Sequence, residues 1–331
     1  MKRARRELLR VAAGMAALAI ISFCQHATAQ ESIKVRMDYF PYALHSPFHY
    51  AVAQGWYKEQ GLDVKIDDGN GSVTTVQLVG EGSYDFGFAN LSTMSRGKAR
   101  GVNVVAIGEV LHRLDVGLLV DKKLGVKTPK DIVEKKVQVV VLAGGFMGTF
   151  MNLYFKAAGT DVSQVNILNV TDEAGAYMAG TGGAVFTTIP YAAVAAARLR
   201  PSDFLWASDI GLEMPAFGII ANGDVAKKKP ETVRKFMAVT TRAWKQAWEG
   251  SGTEMIDALV AARPQAKINA KDEVTRLEAY KPLGKPEAGE PTLYLSPALW
   301  DKFFKTMIEN NQLPASAVPA EYYTNDFQPK G

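Results

Sequence analysis

From residue 33 to about 222, short β-rich runs alternate with amphipathic helical stretches, the pattern of α/β units. Strands are predicted at 33–39, 62–67, 84–89, 102–109, 115–121, 137–142, 165–170, 184–188 and 215–221. Between them, helices are predicted at 72–80, 92–100, 128–135, 146–158, 172–179 and 190–199. A further helix opens at Ser46-Pro47, a cap followed by proline at the first helical position, and its extension over Trp56–Glu59 stops at Gly61. Beyond 223 the pattern turns mainly helical. Val233, Phe236, Met237, Trp244 and Trp248 recur on one face of a helix that starts at Pro230, and Leu299, Trp300, Phe303, Met307 and Ile308 do so after Ser296-Pro297. Both aromatic stripes read as faces packed on a sheet.

Two passages of the chain fall between strand groups. One is the stretch Leu111-His112-Arg113-Leu114-Asp115; the other lies near 209–217. They bracket a middle unit of 115–212, while 30–114 and 213–331 make up the other unit. Two crossing strands between lobes form a natural hinge, and ligands of open α/β sheets bind beyond the carboxyl ends of the strands.

The first 29 residues are a leader by composition. A basic start precedes the apolar run 11–23, and Ala27-Thr28-Ala29 offers a small-x-small cleavage site. Arg5-Arg6 fits twin-arginine export as well as a plain secretory leader with a chance arginine pair. Phe23 before Cys24 does not fit a lipoprotein box. Neither this run nor any later stretch has the roughly 20 apolar residues of a membrane-spanning helix. Removing the leader takes five basic residues and one acid from the 38 and 34 of the whole chain, leaving a formally neutral protein. Such a balance carries no nucleic-acid footprint and no polybasic membrane patch. Cleavage also removes Cys24, the single cysteine, so disulfides, thiol catalysis and cysteine-ligated zinc are excluded from the mature protein.

Catalytic signatures are missing. There is no G-x-S-x-G, H-E-x-x-H, G-x-x-x-x-G-K-[ST], or G-x-G-x-x-G after a strand, and Gly144-Gly145-Phe146-Met147-Gly148 has the wrong spacing for a dinucleotide. His45, His49 and His112 are the histidines left after the leader, and no metal-ligand spacing accompanies them. The chain is therefore expected to be no enzyme and to need no cofactor or metal.

What the sequence offers instead is helix N-termini at strand ends, which aim free backbone N–H groups at a cleft. The turns carrying them are Tyr39–Pro47, Asn90–Thr93, Ala143–Thr149 and Thr187–Tyr191. The candidate ligand-binding residues are Tyr39, Tyr42, His45, Asn90, Ser92, Gly145, Phe146, Thr149, Thr188 and Tyr191. Neutral donors with the faces of Tyr39, Phe40, Tyr42, Phe146 and Tyr191 suit a flat apolar body with a small polar or anionic head.

Leu44-His45-Ser46-Pro47-Phe48, then Ala51-Val52-Ala53-Gln54 and Gly55-Trp56-Tyr57-Lys58-Glu59-Gln60-Gly61-Leu62-Asp63-Val64, resembles the opening of ABC-importer solute-binding proteins of the sulfonate/nitrate/taurine and thiamine-pyrimidine-precursor type. Tyr84–Asn90 resembles the D-x-G strand of these proteins, and Gly148-Thr149 with Ala157-Ala158-Gly159 and Val165 their second-lobe helix and strand. The resemblance covers most of 33–248. It departs at Gly182–Val185, where relatives carry an acidic D-A and a Trp-Pro pair. It implies the two-lobed type II periplasmic binding fold, each lobe a sheet flanked by helices with a ligand cleft between. It further implies a monomer in the periplasm that hands a small-molecule ligand to a membrane permease. Expected ligands are an aromatic or heterocyclic compound or an organic anion such as a sulfonate or carboxylate. Two alternatives stay open: a sensor lobe for a membrane kinase, and an enzyme like the related fungal pyrimidine synthases, which have a cysteine-rich iron-binding motif and pyridoxal phosphate.

Overall fold

The structure, a computed structural model, describes residues 30–143, 147–286 and 289–329, with the backbone alone for Thr149. The leader, its arginine pair and its cleavage site lie outside the described residues, as do Gly145 and Phe146. Ten strands and thirteen α-helices follow in chain order: β1 (Glu31–Arg36), α1 (Ser46–Ala53), α2 (Trp56–Glu59), β2 (Leu62–Asp67), α3 (Ser72–Gly80), β3 (Phe86–Asn90), α4 (Leu91–Ala99), β4 (Val104–Glu109), β5 (Val116–Asp121), α5 (Pro129–Glu134), β6 (Gln138–Leu142), α6 (Met147–Ala157), β7 (Asn166–Val170), α7 (Glu173–Met178), β8 (Ala184–Thr188), α8 (Ile189–Leu199), β9 (Ser202–Trp206), β10 (Phe217–Asn222), α9 (Gly223–Lys228), α10 (Pro230–Glu249), α11 (Thr253–Ala262), α12 (Ala270–Gly284) and α13 (Pro297–Glu309).

These strands form two five-stranded sheets of matching plan, β2-β1-β3-β10-β4 and β7-β6-β8-β5-β9. Within each, the first three strands run parallel, and one strand that has crossed from the other lobe pairs antiparallel with its neighbours, β10 with β3 and β4 and β5 with β8 and β9. The chain leaves the first sheet after β4, builds the second, and returns through 207–216. β3 and β10 are buried along their whole length, which is why Phe86–Asn90 and Phe217–Asn222 read as continuous apolar runs rather than alternating ones. Ser202–Trp206 was not among the predicted strands, because Pro201-Ser202-Asp203 reads locally as a turn; pairing with β5 overrides that preference.

α10 lays Val233, Phe236, Met237, Thr240, Ala243 and Trp244 into the core. Phe236 stacks on Phe86 at 4.0 Å between ring centroids, and Trp244 meets Phe48 and Phe88 at 6.0 and 6.3 Å. Trp248, on the same stripe, is partly buried against Trp244. Past residue 313 the chain covers the free edge of β4: Ala106 N–H donates to Tyr322 O at 2.9 Å and Thr324 N–H to Ala106 O at 3.0 Å.

The two crossings are bonded to each other. Val110 and Leu111 N–H both donate to Phe217 O, at 2.9 and 3.0 Å, and Ala216 N–H donates to Leu111 O at 3.1 Å. Close backbone approach at this junction requires Gly218, where an added Cβ would lie 2.4 Å from Gly108 O. Gly218→Ala is expected to lower unfolding free energy by about 1–3 kcal/mol, read as a lower urea midpoint at an unchanged m value.

Candidate functional site

Between the lobes lies a cavity of about 600 Å³. Its first-lobe wall comes from the loop after β1, from Gly71–Thr74 at the start of α3, and from Thr93, Phe217 and Tyr280. Its second-lobe wall comes from Leu142 and Ala143, Met147, Thr171–Ala174, Thr188 and Tyr191. β1 stops at Arg36, short of the predicted end at 39, so residues 37–42 are free to turn into the cleft. That loop is clamped by Gly69 and Gly71, whose N–H groups donate to the carbonyls of Tyr39 and Asp38. A Cβ at Gly69 would fall 2.1 Å from Met37 O, so only glycine lets the two loops approach this closely.

Tyr39, Tyr42, Thr188 and Tyr191 line the cleft. Tyr42 and Tyr191 face each other edge-on across the lobes at 6.2 Å, and the guanidinium of Arg276, paired with Glu273, covers the Tyr191 ring at 4.4 Å. Burial, then the charge of Asp38, raises the Tyr42 phenol well above its ordinary range. Tyr280 is raised in the same way, by burial first and then by Asp115.

Other named residues sit elsewhere. His45 is fully buried beneath the floor, its Nε2 2.8 Å from Asp38 Oδ1, because the Ser46-Pro47 helix start turns it under Tyr42 instead of outward. Asn90 and Ser92 are also buried: Asn90 Oδ1 accepts from Thr93 N–H at 3.0 Å and from the Ser92 hydroxyl at 2.7 Å, so the α4 cap takes up that oxygen and that hydroxyl, while Asn90 Nδ2 is buried without a hydrogen-bond partner. Thr149 lies within α6, its side chain outside the described part, like Gly145 and Phe146.

The expected slot of neutral donors is instead an acidic one. Asp38 lines the cleft from the first lobe and Asp172 and Glu173 from the second, while no Lys, Arg or His appears among its described lining residues. Glu173 accepts from Thr187 Oγ1 at 3.1 Å, and burial raises its carboxyl. Tyr39 is raised by burial and then by the charges of Glu173, Asp172 and Asp38, which line the same cleft. Asp172 caps α7 through Gly175 N–H. Sequence reasoning missed Asp38 and Tyr280; a carboxylate seven residues before a buried histidine was the available signal for Asp38.

A family model described as NMT1/THI5 like matches residues 43–250. The chain is 27% identical over 211 residues to the 4-amino-5-hydroxymethyl-2-methylpyrimidine phosphate synthase of Aspergillus parasiticus, covering 60% of this chain and 61% of that enzyme, so it spans about three fifths of that relative's length. It is 21% identical to the formylaminopyrimidine-binding protein of Halalkalibacterium halodurans, over 78% of this chain and 80% of that one. Among solved structures, the periplasmic aliphatic sulphonate binding protein SsuA of Escherichia coli superposes with a TM-score of 0.69 at 15% identity, covering 91% of this chain and 94% of that one. The periplasmic nitrate-binding protein NrtA of Synechocystis does so with a TM-score of 0.65 at 14% identity, covering 89% and 86%. The chain thus has the two-lobed solute-binding fold of ABC importers. The expectation that it is no enzyme is overturned by the synthase relatives, among them those of Aspergillus parasiticus, Saccharomyces cerevisiae and Schizosaccharomyces pombe. The described residues of the cleft do not fit the groups associated with the fungal enzymes: among them no lysine lines it for an imine to pyridoxal phosphate, and no cluster of His, Cys, Asp or Glu is placed to hold a metal.

Two stability measurements follow. Asp38→Ala leaves fully buried His45 without its partner and is expected to cost about 1–3 kcal/mol in urea unfolding at neutral pH. Burial pushes the Asp115 carboxyl up to about 7 from 3.8, so this group's contribution to stability is fully present below about pH 4 and is lost as pH rises through 7. That slope is worth on the order of 2–4 kcal/mol and is expected to vanish in Asp115→Asn, as pH-dependent denaturation would reveal.

Proposed function

The chain belongs to the NMT1/THI5-like family, and we propose that it captures a flat nitrogen heterocycle of the aminopyrimidine class in the periplasm and delivers it to the permease of an ABC importer. The observation that carries this reading is the pairing of ring faces with carboxylates. Tyr42 and Tyr191 meet across the cleft, and Asp38, Asp172 and Glu173 line it together with Tyr39. Such a site accepts hydrogen bonds from exocyclic amino and ring N–H groups while stacking holds the ring.

A sulfonate, nitrate or carboxylate would bring its charge against acids from both lobes, with no cation among the described lining residues to offset it. This disfavours the organic-anion ligands expected from the sequence. The name of the formylaminopyrimidine-binding relative supports the same ligand class, and its alignment covers most of both chains. Closure would bring the two walls onto the ligand by bending at the paired crossings.

A second reading, synthesis of such a pyrimidine rather than its capture, is favoured by the names of the synthase relatives. Calorimetric titration of the leader-free protein with a 4-aminopyrimidine, an alkanesulfonate and nitrate separates the ligand classes. The 4-aminopyrimidine is expected to bind most tightly, and Tyr191→Ala to weaken it about tenfold. Tighter binding of the sulfonate or nitrate overturns the reading. Mass spectrometry of the recovered ligand decides between capture, which returns it unchanged, and synthesis.

A further inference from the structure

Two pairs of rings in the cleft stand nearly perpendicular. Tyr39 and Phe40, neighbours on the loop after β1, lie 5.1 Å apart between centroids with their planes at 77°. Tyr42 and Tyr191, from opposite lobes, lie 6.2 Å apart at 82°. All four line the cavity, joined by Phe217 of β10 and Tyr280 of α12. Parallel rings sandwich a flat neutral molecule, whereas rings at right angles leave a corner whose electron-rich faces attract a positive charge from more than one side. Phe40 stands on that lining yet is 63% exposed, so its ring is open to an occupant.

The ionisable side chains among the described lining residues are all acids or phenols. Asp38, Tyr39 and Tyr42 come from the loop after β1, Asp172 and Glu173 from the cap and first residue of α7, Tyr191 from α8 and Tyr280 from α12. Three carboxyl groups without a Lys, Arg or His give these residues a formal charge of −3. Behind them, His45 meets Asp38 at 2.8 Å, and Arg276 covers the Tyr191 ring but is matched by Glu273. The Asp115 carboxyl acts on Tyr42 and Tyr280. The charges of Glu173, Asp172 and Asp38 all raise the Tyr39 phenol, so each reaches a group that lines the cleft. A cation is the occupant that ring faces and carboxylates both attract, and beside such acids a weak base favours its protonated form.

Resting on the aminopyrimidine reading of the cleft, we propose that the heterocycle is held as a cation, its charged ring set between the perpendicular aromatic pairs and its ring N–H donating to a carboxylate of Asp38, Asp172 or Glu173. One proton passes from bulk water to the lone pair of a ring nitrogen, and no other bond is made or broken. The site then selects by basicity as well as by shape. Among planar heterocycles of one size the more basic binds more tightly, and a ring too weakly basic to take the proton is excluded.

Nitrogen-15 NMR of ring-labelled 4-aminopyrimidine bound to the leader-free protein tests this. The spectrum is taken about one unit above the ligand's own ring-nitrogen pKa, where about nine-tenths of the free ligand is neutral. The bound ring nitrogen is expected at the protonated chemical shift. Affinity is expected to fall about tenfold per pH unit from there until the bound ligand loses its proton. Glu173→Gln, which keeps an oxygen to accept from Thr187, should weaken binding about tenfold and lower the pH at which that proton is lost. Should this variant not fold, the spectrum with the unaltered protein still decides. A bound ring nitrogen at the neutral shift, with an affinity that does not change with pH, overturns the cationic state and leaves the binding reading intact. Absence of 4-aminopyrimidine binding on both sides of the ligand's pKa overturns the binding reading and the cationic state with it.

Discussion

Three backbone hydrogen bonds between Leu111, its neighbour Val110, and Ala216–Phe217 fix where the two lobes meet. Every other property of the cleft depends on that junction. It sets β10 between β3 and β4 and holds Phe217 in the wall. Because the two crossings bond to one another, bending at either must carry the other along, so the lobes turn about one shared axis.

Electrostatics then decide what the space can hold. Carboxylates from opposite lobes repel across an empty cleft and are relieved by a donor-rich or cationic occupant. The Asp38–His45 pair at the floor sets a carboxylate oxygen 2.8 Å from the imidazole Nε2 beneath the Tyr42 ring. His49 shows the contrasting outcome: burial depresses its imidazole to about 3, so it behaves as a neutral core residue. Among the described residues lining the cleft, ionisable chemistry is thus concentrated in acids and phenols.

Much of the scaffold was legible in the sequence. Continuous apolar runs such as Phe86–Asn90, and the single apolar face of Pro230–Glu249, declare sheet and covering helix through periodicity alone. The cleft was only partly legible. Tyr39, Tyr42, Thr188 and Tyr191 follow strand ends, and position along an α/β sheet is enough to find such residues. Asn90 and Ser92 have the same address, yet a local cap takes the Asn90 Oδ1 and the Ser92 hydroxyl first, a competition that spacing cannot resolve. The acidic character was hidden for a different reason: Asp38 and Glu173 lie far apart in the chain, and only the folded topology brings them to one cleft.

The position of β10 also has a bearing on biogenesis. The second sheet is built from one uninterrupted stretch, β5 through β9, whereas the first lacks an interior strand and its longest covering helix until β10 and α10 arrive. During synthesis the later-numbered sheet can close while the earlier one still waits, a reversal of the usual order in which the leading part of a chain matures first. The nascent β3 and β4 stand exposed through that interval, a window in which a chaperone hold or delayed export would have its greatest effect on yield.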